Sequence, residues 1–160
     1  MKQSINSKRQ RTLKTEKNKI KERKLTVKSK TDNLSKIREF IATAAKEVGF
    51  SAEEIENIIL AVDEACTNII KHAYKLYPEG TIEIKINYRN KKLTIEIIDF
   101  GTSFDPEQVP EPDLQKYYNL HKVGGLGMYL MKALMDDVEY TSVPGKYNQV
   151  LLSKNLNTPG

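Results

Sequence analysis

Polar and apolar residues alternate along Lys24-Leu25-Thr26-Val27-Lys28-Ser29-Lys30, a period of two that predicts an edge strand. From Thr31 or Asp32 the spacing changes. Leu34, Ile37, Phe40, Ile41 and Ala44 recur three and four residues apart. They predict a helix to about Val48, closed by Gly49. Ser51 followed three residues later by Glu54 spells a capping box, the start of a second helix. Its stripe is Ile55, Ile58, Ile59, Val62, Cys66, Ile69, Ile70 and Ala73, which carries it to about Lys75, before Pro78 and Gly80. Residues 81–89 and 92–100 alternate again, as two strands around a tight turn at 89–92. Residues 101–123 have no period and contain Pro106, Pro110 and Pro112; an irregular stretch this long is more often functional than idle. Gly124-Gly125-Leu126-Gly127 opens a third helix to about Asp136, and Val138–Val143 with Gln149–Lys154 predicts a hairpin across Pro144-Gly145. The order β-α-α-β-β-loop-α-β-β lacks the alternation of a doubly wound sheet. It predicts an α+β fold, a two-layer sandwich of one mixed, mainly antiparallel sheet with helices on one face.

Length and charge divide the chain. Its 160 residues suffice for one domain with a core. Met1 to about Arg23 is polar and carries no core-facing stripe, so it is expected to be a disordered tail (1–23) before a domain at 24–156 and a short C-terminal tail at 157–160. Residues 1–30 hold 12 Lys/Arg and 2 Asp/Glu; the remainder holds 14 and 19. The basic pI therefore belongs to the tail, read as a solubilising segment in preference to a nucleic-acid arm. No apolar run approaches the ~20 residues of a membrane span, and no apolar segment marks a secretory signal. Cys66 stands alone, which excludes a disulfide framework; on the apolar stripe it reads as a buried small residue. A cytoplasmic protein without membrane or nucleic-acid partners is expected.

Three short constellations carry candidate chemistry. Glu64 and Asn68 lie four apart on the second helix, away from its stripe, flanked by Ala61 and Ala65. Spacing alone fits a solvated face equally well. An amide oxygen can ligate a hard cation, and a carboxylate one turn away can take a proton from a hydroxyl nucleophile. Asp99 ends the apolar strand of Leu93, Ile95, Ile97 and Ile98, and Gly101 breaks it. Such a carboxylate is either a turn residue or an acceptor for an exocyclic amine. The glycines at 124, 125 and 127 let backbone approach an anion at a helix start, although neither a Walker P-loop nor a Rossmann motif is present. Asp99-Phe100-Gly101 spells the DFG of eukaryotic-type protein kinases, but the chain lacks the VAIK and HRD partners of that motif.

Taken together, 62-VDEACTNIIKHAY-74, 99-DFGTSFDP-106 and 122-KVGGLGMYLMKALMDDVEY-140 resemble the N, G1 and G2 boxes of the GHKL ATP-binding fold. The likeness spans about residues 24–156 and is strongest to the bacterial anti-sigma-factor serine/threonine kinases (RsbW-type). The resemblance implies ATP and Mg2+ as cofactors. It implies that Asp99 binds the adenine amino group, with Gly101 beside it. Asn68 would hold magnesium, and Glu64 would be the catalytic base toward an acceptor serine. Residues 105–123 would form the ATP lid, with Gly125, Leu126 and Gly127 at the phosphates and Phe104 and Lys122 among the ATP-binding positions. It further implies a sigma factor and an anti-sigma-factor antagonist as partners, in a family that is commonly dimeric.

The chain departs from the family pattern at two places. The second glycine of the G1 box is Ser103 here, as the anti-sigma kinases often tolerate. The late-strand threonine that often assists adenine binding has no clear counterpart; Asn148 and Ser153 are the polar candidates. His72 is expected to pack on the helix flank. The alternatives are a histidine-kinase-type catalytic domain, for which only His72 and His121 are present, and a non-catalytic ATP-gated binding module.

Overall fold

The computed structural model describes residues 20–103 and 126–157. Among these residues, five strands and three α-helices follow one another as β1 (Ile20–Lys28), α1 (Leu34–Val48), α2 (Ala52–Asn68), β2 (Thr81–Arg89), β3 (Lys92–Asp99), α3 (Leu126–Leu134), β4 (Asp137–Val143) and β5 (Tyr147–Asn155). The strands form one sheet in the order β1-β2-β3-β5-β4. Every ladder among the described residues is antiparallel, so the expected parallel component is absent there. β1 starts at Ile20 and ends at Lys28, earlier at both ends than its alternation predicts. Arg23 pairs with Ile86 of β2, so backbone pairing continues where the sequence is too polar to announce a strand.

One face of the sheet is buried. Ile82, Ile84, Ile86 and Tyr88 of β2 stand opposite Asp99, Ile97, Ile95 and Leu93 of β3, as a period of two requires. Leu152 and Val150 of β5 continue two of these rows. Ile37, Ile41, Ala44 and Ala45 of α1, and Ile58, Ala61, Val62, Ala65 and Cys66 of α2, fill the same core. The expected burial of Cys66 holds: it is buried and free, and burial pushes its thiol pKa up.

Local signals end the helices where the chain requires it. Gly49 closes α1 at φ 107, its N–H bonded to the carbonyls of Ala45 and Lys46, a left-handed cap that glycine adopts without strain. Ser51 opens α2: its Oγ accepts from Glu54 N at 3.2 Å, and Glu54 Oε2 accepts from Ser51 N at 2.9 Å. Asn90 and Lys91 turn β2 into β3 with φ of 54° and 61°, the left-handed pair of a two-residue hairpin. α1 begins differently from expectation: Thr31–Asn33 form a 3-10 turn, and Asn33 offers no side-chain cap.

The main departure lies at the end of α2. The expected α-helix to Lys75 stops at Asn68, and Ile69–Ala73 continue as a π-helical segment. The apolar stripe cannot distinguish the two, because Ile69, Ile70 and Ala73 are buried in either winding. The wider turn ends with Tyr74 N bonded to Ile69 O at 2.9 Å. Lys75 and Leu76 follow at φ 48° and 65°, conformations that non-glycine residues rarely adopt.

Candidate nucleotide site

α2 carries Glu64 and Asn68 one turn apart on its half-buried side. That side is not simply open to water. α3 packs along α2, and the buried, small Ala61 and Ala65 leave room for a neighbouring helix. The first turn of α3 meets the two polar side chains directly. A Cβ placed on Gly127 would lie 3.0 Å from Glu64 Oε2, 3.0 Å from Asn68 Nδ2 and 3.5 Å from Asn68 Oδ1. Any side chain at 127 would have to displace the ends of Glu64 and Asn68 by a few tenths of an ångström. Among the described residues neither side chain has a hydrogen-bond partner. Burial and neighbouring Asp63 push the Glu64 carboxyl above its ordinary range, and Lys71 pulls it partly back.

The other end of the site is built on the sheet. Asp99, Asn148 and Ser142 are cross-strand partners on β3, β5 and β4, a polar row at the edge of an apolar face. Asn148 Nδ2 donates to Asp99 Oδ1 at 2.9 Å, and Ser142 Oγ donates to Asn148 Oδ1 at 2.7 Å. Gly101 N donates to the same Asp99 Oδ1 at 2.9 Å. Asn148 Nδ2 also lies 3.3 Å from the carbonyls of Gly101 and Thr102. Two donors thus hold Oδ1, and Oδ2 has none among the described residues. Asp99 is 3% exposed. Desolvation raises its pKa above the usual carboxylate range, against the lowering effect of Asn148 and Gly101. A buried carboxylate with one free oxygen is an acceptor for a ligand N–H.

The two ends meet through the π segment. Thr102 N donates to Ala73 O at 2.7 Å. A Cβ on Gly101 would fall 2.4 Å from that oxygen, so close an approach of two backbones that glycine is required. The chain after Asp99 is thereby set against the chain after Asn68.

The histidine kinase-like ATPase domain family matches residues 27–154. The serine-protein kinase RsbW of Bacillus subtilis is 38% identical over 126 residues, covering 76% of this chain and 77% of its relative. This chain belongs to the RsbW family of serine-protein kinases. The RsbW of Listeria monocytogenes is 34% identical over 137 residues, covering 83% and 86% of the two chains. Two solved structures share the fold. The crystal structure of the RsbU and RsbW domains of a Mycobacterium tuberculosis protein superposes with a TM-score of 0.64 at 15% identity, over 88% of this chain and 34% of that one. This chain therefore spans about a third of that larger protein. The SiaB–SiaC complex of Pseudomonas aeruginosa gives a TM-score of 0.58 at 9% identity, over 96% and 99% of the chains. The kinase fold and activity expected of an RsbW-type chain are borne out, and the histidine-kinase alternative is not favoured.

Of the expected site positions, Glu64, Asn68 and Gly127 converge, and Asp99 and Gly101 form the second cluster. Leu126 begins the α3 backbone. Phe104, Lys122 and Gly125 lie outside the described residues, as does the expected lid at 105–123. Asn148 is the late-strand candidate that reaches Asp99. Ser153 is not: it pairs with Thr94, ~17 Å along the strand at ~3.3 Å per residue. His72 is exposed on the π segment, which overturns its expected packing role. Sequence reasoning missed Ser142 and Tyr74. Ser142 shares inward parity with Val138 and Tyr140 on β4, a signal that becomes usable only once the β4–β5 register is known.

Proposed function

We propose that this RsbW-family kinase binds ATP with the adenine amino group on Asp99 and the phosphates at the start of α3. It transfers the γ-phosphoryl group to a serine of an anti-sigma-factor antagonist and sequesters a sigma factor. The observation that carries the reading is the convergence of Glu64 and Asn68, both without partners among the described residues, on Gly127. A helix start bears free N–H groups and partial positive charge, which favour phosphate. Glu64 accepts the serine proton as the hydroxyl oxygen bonds to the γ-phosphorus, and ADP leaves with the electrons of the broken P–O bond. Its raised pKa makes it a stronger base than an ordinary glutamate.

The Asn68 side chain offers an amide oxygen at this end, a hard ligand suited to Mg2+. Asn68 would hold the ion, which would neutralise phosphate charge. At the other end, Asn148 and Gly101 hold Oδ1, and Oδ2, which has no donor among the described residues, would take the adenine amino group. The RsbW relationship supports the reading of an antagonist protein and a sigma factor as partners. No helix among the described residues is long and apolar enough to cross a membrane. Glu64→Ala tests the assignment: ATP binding is retained and phosphotransfer is lost. Undiminished transfer removes Glu64 as the base.

A further inference from the structure

Tyr74 is bonded to both strand ends beside Asp99. Its Oη donates to Thr81 O at 2.6 Å and accepts from Phe100 N at 2.9 Å. A phenol can donate once and still accept, so one oxygen joins the first residue of β2 to the residue after β3. The ring is seated over Gly80, where a Cβ would lie 2.5 Å from a ring carbon. One residue earlier, Ala73 O receives Thr102 N. The π segment starts directly after Asn68 and ends in these contacts. The chain leaves it through Lys75 and Leu76 at positive φ, a strained exit of the kind that persists only where surrounding contacts hold it.

We propose that Tyr74 is a positioning residue for the nucleotide: its bridge from Thr81 to Phe100 fixes the end of β3, and with it the Asp99 carboxylate, relative to the helix bearing Glu64 and Asn68. The proposal rests on the reading of Asp99 as the adenine acceptor. Phe100 is 52% exposed, and its N–H is bonded to the Tyr74 oxygen.

Tyr74→Phe keeps the ring on Gly80 and removes the bridging oxygen. The Kd values for ATP and ADP rise together by about tenfold, while kcat at saturating ATP stays within about twofold. A merely structural role lowers the melting temperature without this split. Unchanged affinity, or a loss confined to kcat, overturns the proposal. Amide exchange in the parent chain is a check independent of the variant's folding. The Phe100 amide is protected and slows further with ADP; exchange at the rate of an unstructured peptide overturns the proposal. Asp99→Asn, measured in parallel, separates the two ideas. If it retains ATP affinity, the adenine reading fails and the proposal with it. If it loses affinity while Tyr74→Phe does not, the positioning role alone fails.

Discussion

Replacing Asp99 by asparagine changes one oxygen into an NH2 group within an almost fully buried site. Asn148 and Gly101 both donate to Oδ1, so an asparagine oxygen at that position keeps both bonds, and the NH2 takes the place of Oδ2. There an adenine amino group meets a donor in place of a charged acceptor. Loss of a hydrogen bond to a charged group, together with the donor left facing it, amounts to ~3 kcal/mol, about a hundredfold in Kd. Stability moves the other way. The folded-state pKa of Asp99 is raised above its ordinary 3.8 by desolvation. The folded chain thus binds this proton more tightly than the unfolded chain. The group's contribution to stability is full below 3.8 and is lost as pH rises through the raised value. Above that value its charge opposes folding, and Asp99→Asn removes that opposition. Titration calorimetry with ATP and thermal unfolding of the free protein read the two effects. The expected result is affinity lost with the melting temperature unchanged or raised. ATP affinity within about threefold of the parent would mean that Asp99 does not receive the adenine amino group.

Gly127→Ala brings a methyl group to 3.0 Å from both Glu64 Oε2 and Asn68 Nδ2. It lowers kcat by at least about tenfold, with overpacking of ~1–3 kcal/mol spread over two side-chain ends; an unaltered kcat contradicts the convergence. Lys71→Met removes the charge that pulls the Glu64 pKa down. The acid limb of the kcat/KM profile, which reports the free enzyme, moves to higher pH, and a move to lower pH counts against Glu64 as the base. Ser51→Ala breaks the capping box of α2 and lowers stability by about 1 kcal/mol. Urea unfolding measures that loss, and the KM for ATP stays unchanged because the cap is at the opposite end of the helix from Asn68.

What the sequence revealed depended on the range of the interaction. The capping box at Ser51, the glycine stop at Gly49 and the β2–β3 hairpin are set by residues within one turn of each other, and all three are legible in the letters. Glu64, Asn68 and Asp99 were found by motif. Period alone left them as a solvated face and a turn, because nothing local says that α3 covers that face. The π segment was invisible: its stripe is apolar in either winding, and what stabilises it is Thr102, 29 residues beyond Ala73. Asn148 was narrowed to one of two candidates, and only the register Asp99↔Asn148 separates it from Ser153. Tyr74 carries no periodic mark, since its role consists of bonds to two backbone groups that the fold brings together.

Serine-kinase activity is read by phosphotransfer from γ-labelled ATP with Mg2+, in a lysate containing the cognate partners, followed by acid treatment and identification of the labelled residue. The expected product is an acid-stable phosphoserine on a separate protein, present with the parent chain and absent with Glu64→Ala. An acid-labile phosphohistidine, or label transfer unaffected by Glu64→Ala, would contradict that expectation.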